Sequence, residues 1–185
     1  MPARAHRSDA VANRERVIAA ARAALSDSDR AAEELKLHLV AKAAGVGQGT
    51  LYRHFPTREH LLAEVYRHEM GELVDAVPAL LVEHPPLTAL SRWLDRLLEY
   101  VKVKRGVMAA IEASAWQDLY ADNHGRLDEA LTTLLDRGRA AGEVRDGIDA
   151  VDVILLLGAL SRVPEAEWDV RSRTIVTVIL DGIRR

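Results

Sequence analysis

Apolar residues recur along this chain at intervals of three and four positions, and no alternating strand pattern persists. This spacing predicts a first helix over Val11–Leu25, a short second helix over Leu37–Ala44 and a shorter third helix over Gln48–His54. Thr57 is expected to cap a long fourth helix that runs to about Val77. The segment 31–39 is left open, as an extension of the first helix or the start of the second.

The second half of the chain also shows helical spacing. Pro85-Pro86 breaks the chain, and Thr88 is expected to cap a helix whose apolar positions run from Leu90 to Val101. Four more helices are predicted, separated by Gly142 and Pro164: Gly106–Tyr120, Gly125–Ala141, Asp149–Val163 and Glu165–Ile183. Thr174–Ile179 is rich in β-branched residues but is interpreted as helix, because a lone strand would leave its backbone groups unpaired. The pattern therefore predicts an all-α fold of about nine helices.

Composition narrows the class of protein. The 185 residues are 49% hydrophobic and 29% charged, which is typical of a globular protein of one or two domains. The absence of cysteine excludes disulfides and thiolate chemistry and suits a reducing cytoplasm. The longest apolar run, Val153–Leu157, is too short to span a membrane, and no signal peptide is expected. We expect a soluble cytoplasmic protein without membrane association.

Charge is distributed unevenly along the chain. Residues 1–60 carry ten lysines and arginines against seven acids, a balance of +3, whereas the whole chain has a formal charge of −3. The remainder is therefore at −6. A basic N-terminal third on an acidic body is compatible with an N-terminal third that binds phosphates.

The segment Ala43–Leu62 concentrates unusual residue types. Gly45 and Gly47 bracket Val46, which predicts a tight turn between the second and third helices, as in a helix-turn-helix. Four residues are suited to the small core that fixes the two helices: Ala41, Ala44, Leu51 and Phe55. This arrangement leaves the other side of the third helix free to enter a major groove.

The residues left on that side could bind DNA. Thr and Tyr hydroxyls can bond phosphate oxygens, a glutamine amide can read a base edge, and glycine allows close backbone approach. The candidate DNA contacts are Gln48, Gly49, Thr50, Tyr52, Arg53 and His54, with Thr57 and Arg58 at the start of the fourth helix. Arg4, His6 and Arg7 could form a basic arm in a minor groove or a disordered tail.

From Ala41 to Leu62 the chain resembles the TetR family of transcriptional regulators, whose pattern GVxxGTLYxHFPTRExLL it matches almost continuously. The stretch Ala140–Leu160 resembles that family's passage into its dimerisation helices. The resemblance implies a DNA-binding domain over residues 1–60 and a ligand-binding and dimerisation domain over residues 61–185. It also implies a homodimeric repressor that binds a palindromic double-stranded operator and is released by a small molecule.

One position departs from the family pattern. The family's second helix usually begins after a Thr or Ser whose oxygen meets a phosphate, and here Lys36 precedes Leu37. Lys36 is therefore a candidate phosphate contact through its charge alone.

Two groups of apolar residues are assigned to the C-terminal domain. Candidates for a site that binds an apolar or aromatic effector are Tyr66, Met70, Trp93, Leu97, Tyr100, Met108, Trp116 and Tyr120, with ordinary core as the alternative. Candidates for the dimer interface are Val153, Leu156, Leu157, Leu160, Ile175, Val178 and Ile179, with burial inside one subunit as the alternative.

Enzymatic activity finds little support in the sequence. The histidines form no HExxH spacing, and no glycine-rich loop follows a strand, so neither a metal nor a cofactor is expected. His60, Glu64 and His68 share one helix face but are interpreted as solvated charge. The alternative function is a helical ligand-binding or scaffold protein of the same fold without operator binding.

Overall fold

The computed structural model describes residues 3–25, 35–110 and 113–185, and their side chains at 9–25, 35–105, 107–108 and 125–185. Eight α-helices lie in these ranges: α1 (Ala3–Leu25), α2 (Leu37–Ala44), α3 (Gln48–His54), α4 (Arg58–Glu83), α5 (Pro86–Ala110), α6 (Ala113–Ala140), α7 (Ala150–Leu157) and α8 (Trp168–Ile183). Short 3-10 segments at Gly158–Arg162 and Glu165–Glu167 connect the last two helices. No strand occurs among the described residues, so the all-α prediction is confirmed.

The helices of the N-terminal region follow the sequence prediction closely. The bounds of α2 and α3 are those predicted, and α4 begins directly after Thr57. α1 begins at Ala3 and not at Val11, so Arg4, His6 and Arg7 lie in its first turns and the alternative of a disordered tail is wrong. Contact of these residues with DNA stays a prediction. Residues 31–34 of the segment left open lie outside the described residues, and residues 35 and 36 precede α2.

The predicted start of α5 was wrong. The helix begins at Pro86, so Thr88 lies inside it and does not cap it. Proline is well suited to a first helical position because its missing N–H needs no partner there. The backbone N–H of Leu87 is instead satisfied by Oε2 of Glu143, at 2.7 Å.

The predicted division between the next two helices was also wrong. Gly106 lies inside α5 and Gly125 inside α6, whereas both were expected to begin helices. An interior glycine costs a helix only about 1 kcal/mol relative to alanine, which packing of the flanking turns readily offsets. Asp149 caps α7 as expected, through reciprocal bonds with Asp152, but α7 ends at Leu157 and not at Val163. The β-branched stretch near the C-terminus is helical, as predicted.

The chain divides into two compact units. The first contains Met1–Glu69 and Lys102–Leu119, and the second contains Met70–Val101 and Tyr120–Arg185. In the first unit, α1 packs against α2 and α3, and Val17 and Ile18 are almost completely buried. The predicted domain boundary between residues 60 and 61 remains a prediction. Across the described residues, the helices lack the combination of length and apolar character that crossing a membrane requires.

In the second unit, the end of α6 is a tight turn that brings Val144 over Gly138. The N–H groups of Glu143 and Val144 both donate to the carbonyl of Gly138, at 2.9 and 3.2 Å. A Cβ added to Gly138 would lie 2.4 Å from Cγ2 of Val144. Val144 is itself buried and pairs with Arg184 in an isolated β-bridge. Glycine at position 138 is therefore required by close packing and not by backbone conformation.

We predict opposite stability changes for two glycines of α6. Gly138→Ala should lower the free energy of unfolding by about 1–2 kcal/mol, because the overlap with Val144 outweighs the gain in helix propensity. Gly125→Ala is the matched control, since among the described residues no atom outside the backbone of its own helix turns lies within 4 Å of its added Cβ. That variant should gain about 0.5–1 kcal/mol. Urea unfolding at unchanged m-value measures both, and a stabilised Gly138→Ala variant would contradict the packing argument.

Candidate nucleic-acid interface

The turn between α2 and α3 is made by Gly45. Its φ of 64° lies in the left-handed region that glycine adopts without a steric penalty. The N–H of Gly45 donates to the carbonyl of Lys42 at 3.2 Å, and the N–H of Val46 donates to that of Ala41 at 3.0 Å. This pair of bonds is the Schellman motif, which ends a helix and reverses the chain.

A small apolar core holds α2 and α3 together. The four residues predicted for this core are at most 8% exposed: Ala41, Ala44, Leu51 and Phe55. Val40, which the sequence analysis did not select, is buried with them. Leu51 lies on α3 and Phe55 directly follows the helix, and both side chains are buried, so the opposite face of α3 points away from the core.

The predicted DNA contacts lie on α3 or at the start of α4, except Lys36, which precedes α2. Tyr52 is 47% exposed, although tyrosine is often buried. Five of the others are exposed: Lys36, Gln48, Gly49, Arg53 and Thr57. Thr50, His54 and Arg58 are half-buried. The structure therefore presents hydroxyl, amide and cationic groups on the outer side of a short helix whose apolar side is buried.

Thr57 caps α4, as the sequence predicts. Its Oγ1 accepts from the backbone N–H of His60 at 3.3 Å and lies 2.9 Å from Nδ1 of the same residue. The pKa of Glu59 is lowered because its own backbone N–H and the Thr57 hydroxyl bond to the carboxylate, and Arg58 adds a positive charge. The hydroxyl of Thr57 thus has partners within α4 before any DNA is present.

Lys36 occupies the position before α2. Its backbone is extended, with φ −98° and ψ 115°, and its side chain makes no capping hydrogen bond. The oxygen that the family pattern places here is therefore replaced by an exposed ammonium group. Lys36 therefore provides a positive charge but no hydrogen-bonding group that is held in a fixed direction.

Two ion pairs join α1 to α4 within the first unit, and the sequence analysis did not identify either. Arg14 Nη2 lies 2.5 Å from Glu64 Oε1, and Arg22 Nε lies 2.7 Å from Glu69 Oε1. Glu69 is 4% exposed, which is rare for a carboxylate. The only signal in the sequence was an excess of arginine on a helix with one apolar face.

The candidate effector-binding residues are mostly buried. Five of the eight are at most 4% exposed: Tyr66, Met70, Trp93, Leu97 and Tyr100. The indole N–H of Trp93 donates to the carbonyl of Leu73 at 3.0 Å. Met108 is 43% exposed, and the side chains of Trp116 and Tyr120 lie outside the described residues. Burial also lowers the pKa of Lys104 on α5, a charged group that the sequence analysis passed over.

The candidate dimer residues divide into two sets. Val153, Leu157, Leu160 and Ile179 are at most 8% exposed, whereas Leu156 and Val178 are 54% and 65% exposed, and Ile175 is half-buried. Three further apolar residues of the same two helices lie outside this candidate set and are more than half exposed: Val151, Leu155 and Val170. Helices α7 and α8, which pack together, therefore also expose a large apolar surface.

Two short helices are joined by a turn at Gly45, and the second has a polar outer face. With the helical C-terminal region, this arrangement is that of a helix-turn-helix DNA-binding protein. Residues 17–65 match the family model described as bacterial regulatory proteins of the tetR family, and residues 85–185 match the model described as the C-terminal domain of SbtR-like transcriptional regulators. The chain belongs to the TetR family of transcriptional regulators.

Solved structures agree with this assignment. The TetR transcriptional regulator SCO0520 from Streptomyces coelicolor is 36% identical, with a TM-score of 0.81, over 92% of this chain and 98% of that one. A TetR regulatory protein from Mycobacterium vanbaalenii is 28% identical, with a TM-score of 0.76, over 97% of this chain and 99% of that one.

A curated relative is similar over a shorter region. The HTH-type transcriptional regulator SAB2452 from Staphylococcus aureus is 27% identical over 108 residues, or 58% of this chain. The chain spans 57% of the length of that relative. The comparisons support a DNA-binding transcriptional regulator, in agreement with the prediction from the sequence.

Proposed function

We propose that this regulator is a cytoplasmic repressor that binds a palindromic operator as a homodimer and is released by a small apolar or aromatic molecule. It acts by binding and not by catalysis. The observation that carries the proposal is the combination of a polar outer face on α3 with exposed apolar side chains on α7 and α8. The polar face supports contact with DNA, and the exposed apolar side chains support association with a second copy of this chain.

The outer face of α3 supports both phosphate and base contacts. Arg53 and Tyr52 are exposed and provide a guanidinium and a hydroxyl for phosphate oxygens, and the exposed amide of Gln48 is suited to a base edge. Apart from the backbone of its own helix, no atom of the described part of the chain lies within 4 Å of a Cβ added to Gly49, so packing in this part of the chain does not require glycine there. Close approach of DNA is a sufficient reason for glycine at this position.

We predict that Arg53→Ala weakens DNA binding and that Arg92→Ala, an exposed arginine on α5, does not. The probe is a duplex selected from a random library with the wild-type protein, and a palindromic consensus is expected. Loss of one phosphate contact should reduce the slope of log Kd against log salt concentration by about 1. Equal binding by the two variants would contradict a role for α3 in DNA contact. Failure of the wild-type protein to select any duplex would favour the scaffold or ligand-binding alternative.

The exposed apolar side chains of α7 and α8 support a homodimer. Val151 and Leu155 lie four residues apart on α7, and Val170 and Val178 lie eight apart on α8, so each pair shares a helix face. These side chains are 56–73% exposed in a single chain. A second copy would bury them in a two-fold interface of four helices. In this proposal Leu156 forms the interface together with these four side chains, and the buried candidates pack behind it in the same subunit.

We predict that Leu155→Arg converts the dimer to a monomer, because it places a charge in the apolar interface. Val82→Arg is the matched control, since Val82 is 87% exposed but lies on α4, outside the α7–α8 surface. Sedimentation velocity at micromolar concentration measures both. The interface assignment is wrong if the two variants have the same mass or if the wild-type protein is itself monomeric.

Effector binding is supported by the aromatic residues of the second unit. Trp93 and Tyr100 are buried on α5, and aromatic and methionine side chains commonly form sites for apolar ligands. Since linkage is reciprocal, a molecule that lowers the affinity for DNA must bind more weakly to the DNA-bound protein by the same factor.

We predict that a panel of apolar and aromatic small molecules contains compounds that raise the melting temperature and also weaken binding to the selected duplex. The Arg53→Ala variant is the control, because its effector site is intact and its melting temperature should still rise. The proposal of ligand release fails if compounds that raise the melting temperature leave DNA affinity unchanged.

A further inference from the structure

Arg14 of α1 contacts two different elements of the first unit at once. The carbon at the centre of its guanidinium lies 5.8 Å from the centroid of the Phe55 ring. Its Nη2 lies 2.5 Å from Oε1 of Glu64 on α4. A cation within about 6 Å of an aromatic face is attracted by the ring quadrupole, so both contacts are favourable. Arg14 therefore connects α1, the end of α3 and the second turn of α4.

Phe55 is the residue through which this contact reaches α3. Its backbone N–H donates to the carbonyl of Leu51 at 2.8 Å and closes the last turn of the helix. Its ring is 2% exposed and lies 6.3 Å from the ring of His54, a candidate DNA contact. The position of Phe55 is therefore linked to the C-terminal end of α3 through this backbone bond. With only seven residues, α3 has little stability of its own to resist a shift of that end.

Glu64 provides a fixed anchor for Arg14. Its second carboxylate oxygen accepts from Arg67 on the same helix, at 3.1 Å. The carboxylate is 22% exposed, so water screens it less than it screens a fully exposed side chain. The charge of Arg14 is thus matched by a carboxylate held in place on α4.

We propose that Arg14 is a positioning residue for the recognition helix α3, and that it sets sequence specificity without contacting DNA. Its guanidinium is paired with Glu64 and lies over the Phe55 ring, while 41% of the side chain remains exposed. Removal of Arg14 leaves α3 free to shift against α1 and α4. Misplaced base contacts then reduce binding to the correct sequence, whereas binding that depends on phosphate charge is retained. This role goes beyond the proposed operator binding.

The first experiment observes Phe55 directly. Phe55 is the chain's only phenylalanine, so incorporated 4-fluorophenylalanine gives a single fluorine resonance. Arg14→Gln should shift or broaden that resonance. Arg67→Gln is the control, because it also removes a partner of Glu64 but keeps Arg14 and its contact with the ring. A resonance that is the same in wild type and Arg14→Gln overturns the proposal, whatever the protein does with DNA.

The second experiment separates positioning from phosphate binding. The probes are the duplex selected with the wild-type protein and a scrambled duplex of the same composition. For Arg14→Gln we expect about 5- to 30-fold weaker binding to the selected duplex, the equivalent of one or two kcal/mol. Binding to the scrambled duplex and the salt slope should stay unchanged. Arg14→Lys, which keeps the ion pair with Glu64, should recover part of the loss.

The opposite pattern overturns the proposal. Equal losses on both duplexes, with a salt slope reduced by about 1, would make Arg14 a phosphate contact. Unchanged binding to both duplexes would also reject a positioning role. Thermal unfolding of each variant measures its folded fraction. If Arg14→Gln does not fold, the same binding measurements are made with Arg14→Lys and Glu64→Gln. Failure of the wild-type protein to select a duplex rejects operator binding instead, and the fluorine resonance still decides the Arg14 contact.

Discussion

A seven-residue helix is too short to persist alone in water, so α3 depends on the packing of one face against its neighbours. Leu51 and Phe55 provide that face and are 0% and 2% exposed. The left-handed turn at Gly45 fixes the direction in which α3 leaves α2. The polar outer face, which includes Tyr52 and Arg53, is therefore oriented by residues that do not themselves face outward. The orientation of the candidate DNA-binding surface follows from this small core.

The sequence predicted this part of the fold well because its signals are local. Gly45 ends α2, Phe55 and Pro56 end α3, and Thr57 caps α4, each through bonds or constraints within a few residues. The exposure of the outer face followed from the same periodicity. The candidate DNA contacts could be selected without tertiary information, although their contact with DNA stays a prediction.

Elsewhere the deciding contacts are distant in the chain. At the start of α5, the backbone N–H of Leu87 donates a hydrogen bond to Glu143, which lies 56 residues further along the chain. Val144 packs over Gly138 and leaves no room for a side chain there. This contact depends on the geometry of the turn at the end of α6. Apolar periodicity on α7 likewise did not separate inward Val153 from outward Leu155, because both residue types are equally apolar. Such distinctions require the packed structure.

The structure also changes the interpretation of the positive charge of the N-terminal region. The sequence gives a surplus of +3 over residues 1–60, which favours binding to phosphate. Yet Arg14 and Arg22 are paired with Glu64 and Glu69, two carboxylates of α4 that lie beyond residue 60. Those arginines join α1 to α4, so the surplus overstates the charge available to DNA. In the proposed mode of binding, phosphate contacts come from exposed groups such as Lys36 and Arg53, and the paired arginines join the helices of the first unit.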